Sequence, residues 1–126
     1  DLMITGDQVR YPEYTGYFRT IEADNIITEE GLGLLPGTII DQHFIHRQRL
    51  NRLLSAVMDH PSHVGIGIDE STAIHVHQGE ATVYGESQVI VVTCDPAAVH
   101  VEDGKQGAEG MELSVYLPGE TFQVTR

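Results

Sequence analysis

The sequence predicts an α/β fold in which a single βαβ unit leads into antiparallel hairpins. Three observations predict it. A β-branched run over residues 38–44 and a second apolar run over 63–69 flank a stretch with helical apolar spacing, which is the order and length of one parallel crossover. Beyond residue 70 the pattern changes to short runs bounded by turn residues, as paired antiparallel strands require. At 126 residues the chain is the size of one small domain and too short for two.

Residues 1–37 show little periodicity, and Gly6, Tyr11, Pro12, Tyr14, Gly16, Tyr17 and Phe18 give that segment the composition of an aromatic-rich loop. Pro36 and Gly37 punctuate the entry to the first strand, Thr-Ile-Ile-Asp-Gln-His-Phe, which ends in polar groups. From about Ile45 to Met58, Leu50, Leu53, Leu54, Val57 and Met58 recur at helical spacing, and His60-Pro61 stops the helix. The run 63–69 supplies the second strand. Five short strands are expected over 72–77, 80–84, 88–94, 112–117 and 121–124, with Gly79, Gly85 and Pro118-Gly119 as turns. The stretch 95–110, with three glycines and four acids, reads as a mobile loop. Parallel strands need neighbours and helices on both faces, so further strands are expected from sequence beyond this chain.

Composition narrows the classes of function. Apolar residues make up 40% and charged residues 21%, as in an ordinary globular protein, and no stretch approaches the roughly 20 apolar residues that span a bilayer. No signal-peptide pattern opens the chain, and a start at Asp1 rather than Met marks a processed or excised segment. Cys94 is the one cysteine, so no intrachain disulfide or zinc cluster is indicated; a small buried hydrophobe is its expected role. Nineteen acids against seven basic residues give a net charge of −12, which argues against nucleic acid or anionic lipid as partners and suits a cationic ligand. Three of the basic residues, Arg47, Arg49 and Arg52, lie within six positions, making either a local anion site or a solvated helix face.

In open α/β sheets, ligands sit beyond the carboxyl ends of the strands. Asp41, Gln42 and His43 end the first strand, and Asp69 and Glu70 end the second, so a histidine and a carboxylate can meet across one crevice. A base held by an acid is the pairing of a hydrolytic triad, because the carboxylate fixes the imidazole tautomer and stabilises its charged form. At about 100° per residue, Arg49 and Arg52 stand roughly 60° apart and clear of the Leu50/Leu53/Leu54/Val57 stripe, free to face a ligand. A metal site is the competing class: His75 and His77 share one strand face, and His43 and His46 are three apart, although no motif supplies further ligands.

The run Gly33-Leu34-Leu35-Pro36-Gly37-Thr38-Ile39-Ile40-Asp41-Gln42-His43-Phe44, followed by Arg47, Arg49, Leu50 and Arg52, resembles the signature stretch of the cyanophycinase family of serine peptidases, which includes aspartyl dipeptidases. Gly65-Ile66-Gly67-Ile68-Asp69-Glu70, with Thr72-Ala73 behind it, resembles the second signature at the expected spacing. The resemblance implies a flavodoxin-like three-layer α/β/α sandwich, here its C-terminal part with added β-hairpins, and a Ser-His-Glu triad in which His43 is the base and Glu70 its orienter. It further implies that Asp41, Gln42, Arg47, Arg49 and Arg52 line a pocket for cyanophycin, a poly-aspartate with arginine in amide linkage to its side chains, releasing β-Asp-Arg dipeptides. No cofactor is called for. The expected partners are an N-terminal segment or chain carrying the nucleophile, the β-Asp-Arg polymer, and a second copy in a dimer. A short aspartyl dipeptide is the alternative substrate.

The nucleophile is where the sequence departs from the family. The Gly-Thr-Ser-Ala-Gly-Ala elbow is absent, and Ser55, Ser62, Ser71, Ser87 and Ser114 lack the small flanking residues that a strained elbow needs. Tyr11, Tyr14, Tyr17 and Phe18 could stack on substrate guanidinium groups or simply pack.

Overall fold

The computed structural model describes residues 1–8, 21, 23–45 and 49–125. The parallel crossover is present. Strand β3 (Thr38–Gln42) leads through helix α1 (Leu50–Asp59) to β4 (Val64–Ile68), and the strands pair in parallel with Thr38 opposite Val64 and Gln42 opposite Ile68. That register puts both carboxyl ends on one edge of the sheet. β1 (Leu2–Gln8) pairs parallel to β3 on one side, and β7 (Val89–Thr93) pairs antiparallel to β4 on the other. With β2 (Ile26–Glu30) and β10 (Glu112–Tyr116) at its borders, the sheet has six strands in the order β10-β7-β4-β3-β1-β2.

A smaller antiparallel sheet of β11 (Thr121–Gln123), β6 (Glu80–Gly85) and β5 (Thr72–His77) packs on one face of the large one. The alternation along β4 decides what each face meets. Val64, Ile66 and Ile68 point to the small sheet and join Val83, Val89 and Phe122 there. Gly65 and Gly67 face the helix side, where bare backbone admits Leu53 and Val57 of α1 and the ring of Phe44. A Cβ at Gly67 would stand 2.5 Å from Phe44 Cγ, so any side chain there would displace the ring. Ile39, Phe44, Leu53, Ala56, Val57, Met58 and Val92 fill this second core.

The structure bears out the α/β class. Among the described residues the layers run helix, six-stranded sheet, three-stranded sheet, and α1 is the one α-helix. Two segments expected to be loops are ordered into strands. Within 1–37, β1 and β2 pair with Leu2 opposite Glu30 and Gln8 opposite Ile26; the aromatic stretch 11–18 lies outside the described residues. Within 95–110, β8 (Val99–Glu102) and β9 (Lys105–Ala108) form a hairpin turned by Asp103 and Gly104, both at positive φ. The hairpin lies across α1, where Gln106 Nε2 donates to Ser55 O at 3.0 Å. α1 also starts later than the apolar spacing suggests, at Leu50, with Arg49 as a cap that makes no side-chain cap bond.

Candidate active site

His43 is the first residue beyond β3, and its backbone turns left-handed, at φ 51°. For a residue with a Cβ that conformation costs about 1–2 kcal/mol, so the surroundings must hold it. Phe44 does so from the next position. Its ring is buried over Gly67, its N–H donates to Ile68 O at 3.3 Å, and its carbonyl accepts from Arg49 N–H at 3.0 Å. The anchor leaves the imidazole at the sheet edge, where Nδ1 lies 3.1 Å from Glu70 Oε1. The two side chains remain 48% and 41% exposed, open to a ligand.

An ionised carboxylate only accepts, so Nδ1 donates to Glu70, and in the neutral ring Nε2 then keeps its lone pair. A histidine in that tautomer can take a proton through Nε2 while the carboxylate stabilises the imidazolium that forms. Glu70 sits in a tight turn with Ser71 at φ 53°, and Thr72 Oγ1 donates to the Glu70 carbonyl at 3.0 Å.

Asp41 and Arg52 are together, but facing one another. Arg52 Nε donates to Asp41 Oδ2 at 2.8 Å and its Nη2 to Oδ1, and the two residues are 5% and 1% exposed. The helical spacing, which sets Arg52 apart from the apolar stripe, does not foresee that depth. Leu50, assigned to the stripe, is 37% exposed. Arg49 lies beside the pair, its Nη1 donating to Gln42 O at 2.7 Å and lying 3.8 Å from Asp41 Oδ1. Gln42, His43, Arg49 and Arg52 open onto a cleft of about 660 Å³ whose other walls, apart from Asp1, are apolar, among them Leu34 and Val76. A smaller groove runs on past His43 to Glu70 and Ala73. Arg47 and His46 lie outside the described residues.

Of the remaining serines, Ser71 lines the smaller groove beside Glu70. Ser55 donates to Asn51 O inside α1, Ser87 to Asp69, and Ser114 is on border strand β10. His75 and His77 share the outer face of β5, as the alternation requires, with His75 edge-on to Tyr84 at 6.4 Å between centroids. Among the described residues no three His, Cys, Asp or Glu side chains gather as a metal would need. Cys94 is buried. Asp69, which the sequence places at the end of the second strand, turns its carboxylate to the neighbouring loops: its Oδ1 accepts from Ile45 N–H at 3.0 Å and its Oδ2 from Ser87 Oγ at 2.5 Å.

The chain is 46% identical over 102 residues to cyanophycinases of Trichormus variabilis and of a Nostoc species, covering 75% of this chain and 34% of each relative. It is 41% identical over 87 residues to a cyanophycinase of Synechococcus elongatus, covering 68% of this chain and 26% of that one. The chain thus spans about a third or less of the length of these relatives. A family model, peptidase family S51, matches residues 4–84, from within β1 to β6, the stretch that holds His43, Glu70 and the arginines. On that match, this chain belongs to peptidase family S51.

Proposed function

We propose that this chain supplies the general base and its acid partner to a serine peptidase that hydrolyses cyanophycin to β-Asp-Arg dipeptides. The observation that carries the reading is the His43–Glu70 contact, 3.1 Å across the ends of two adjacent parallel strands. His43 takes the proton of a serine hydroxyl as it attacks the amide carbonyl, then returns it to the leaving amine, while Glu70 holds the ring. The serine belongs to a further segment of the same peptidase, on an N-terminal stretch or chain. Together the two parts complete a flavodoxin-like α/β/α sandwich. The apolar walls of the cleft, with Leu32 and Leu34 84% and 80% exposed, suit cover by that segment.

Substrate choice rests on the polar end of the cleft. Arg49 binds a free carboxylate of the substrate, that of a linked arginine or of the chain terminus, since a guanidinium fork matches a carboxylate in geometry and charge; Arg47, outside the described residues, is assigned the same role. Gln42, which lines the cleft, donates or accepts at the scissile linkage. Asp41 and Arg52 act on substrate from beneath, by orienting Gln42 and Arg49: Asp41 Oδ1 also accepts from Gln42 N–H at 2.9 Å. The test is to incubate the intact protein with cyanophycin and with a serine-directed acylating reagent. Release of β-Asp-Arg, blocked by stoichiometric acylation, is expected; release that survives acylation would count against a serine mechanism.

A further inference from the structure

Two hydrogen-bond chains converge on the turns that carry His43 and Glu70, and both pass through one loop between β6 and β7. The Asp69 carboxylate accepts from Ile45 N–H at 3.0 Å on one oxygen, two residues beyond His43. On the other it accepts from Ser87 Oγ at 2.5 Å. Asp69 is also the immediate neighbour of Glu70, and its N–H donates to Gln88 O at 3.3 Å. The second chain runs from Ser87 N–H to Thr72 Oγ1 at 3.1 Å and from that hydroxyl to the Glu70 carbonyl at 3.0 Å. Glu86 N–H donates to Ser71 O at 2.9 Å. Gly85 completes the closure, because a Cβ there would stand 2.7 Å from Thr72 Cα.

We infer that Asp69 and Ser87 are positioning residues that fix the separation of His43 and Glu70. The reasoning rests on the reading of His43 as the base. Both partners are nearly half exposed and His43 is held in a left-handed conformation, so packing of their own is not enough to keep the 3.1 Å contact. Rotation of either turn would open it. The Asp69 carboxylate ties one turn directly to the other, and Ser87 ties both to the β6–β7 loop. Neither residue touches a reacting atom; each acts through the geometry of the pair, to which rates are steeply sensitive.

The test uses the intact peptidase and compares kcat, KM and melting temperature for Ser87→Ala, Ser87→Thr, Asp69→Asn and Asp69→Ala. Ser87→Ala is expected to lower kcat by about tenfold with KM within about twofold, the signature of a misplaced group rather than lost binding. Ser87→Thr keeps the hydroxyl, and Asp69→Asn keeps an acceptor for Ile45 while donating to Ser87 Oγ, so both should retain most of the rate. Asp69→Ala should lose at least as much as Ser87→Ala. In a Glu70→Gln background, Ser87→Ala should cost much less than in the wild type, because the contact it protects is already weakened. Should Ser87→Ala fail to fold, Thr72→Val breaks the second chain and should show the same loss confined to kcat. An unchanged kcat in Ser87→Ala, or an equal loss with and without Glu70, would overturn the positioning role. Turnover that survives His43→Ala would instead overturn the base assignment beneath it.

Discussion

Arg52 reaches from the first turn of α1 to Asp41 near the end of β3 and engages both carboxylate oxygens, Nε at 2.8 Å from Oδ2, with both side chains almost sealed from solvent. Two opposite charges buried with matched geometry tolerate each other; one of them left alone does not. The pair therefore ties the start of the helix to the strand that leads into His43.

Arg52→Ala should destabilise the protein by about 3–5 kcal/mol, since it strands the Asp41 carboxylate in a buried site. Chemical denaturation of the intact protein measures this. A loss under about 1 kcal/mol would mean that water or another cation reaches Asp41 readily.

Arg49, more open than Arg52 and lining the cleft, should divide the other way. Arg49→Ala should lower kcat/KM on the β-Asp-Arg polymer by roughly 1.5–3 kcal/mol, the worth of one charged hydrogen bond, with a smaller change in stability than Arg52→Ala. Steady-state kinetics on polymer and on a short aspartyl dipeptide would read it. Unchanged kinetics on both would leave Arg49 as a strut for the Gln42 carbonyl alone.

Gly67→Ala tests how far packing alone sets the site. The added methyl must push the Phe44 ring, which is sealed into the helix-side core and is the anchor of the His43 turn. A loss of about 1–3 kcal/mol in stability is expected from overpacking, together with a fall in kcat. Full activity in a stable variant would show that Phe44 can shift without moving His43.

At the other end of α1, burial and then the neighbouring charge of His60 push the pKa of His63 below its ordinary value; the two rings are edge-on at 5.8 Å. The folded state thus favours neutral His63. Its contribution to stability is present above the unfolded pKa of about 6.5 and is lost as pH falls through the lower folded value. Melting temperatures between pH 7.5 and 5 should fall less steeply for His63→Gln than for the wild type. Parallel curves would contradict this.

The parts of the fold legible in the sequence are those with local cause. β3, α1 and β4 follow from apolar runs that a helix-stopping His60-Pro61 separates, and β5 and β6 from alternation around Gln78-Gly79, whose φ values of 51° and 79° make the hairpin turn. β1 and β2 become strands through pairing with β3 and with one another, which no local window records. The Asp103-Gly104 turn was a signal for β8 and β9, outweighed by the acids and glycines around it. Strand ends brought His43 and Glu70 to one edge on paper as in space. The depth of Arg52 escaped, because helical spacing sets a charge outward unless a buried partner such as Asp41 is known. Asp69 was legible as a strand-end acid, but its bonds to Ile45 and Ser87 were not, because side-chain bonds between loops have no period.

The most direct measurement is the turnover number of the intact peptidase carrying His43→Ala, with Glu70→Gln, His75→Ala and His77→Ala beside it and with folding checked by circular dichroism. His43→Ala should be folded and lose roughly three orders of magnitude or more in kcat, with Glu70→Gln also strongly impaired and the two β5 histidine variants near wild type. An active His43→Ala, alongside dead His75→Ala and His77→Ala variants and a reaction stopped by chelators, would contradict the base assignment and hand the chemistry to a metal.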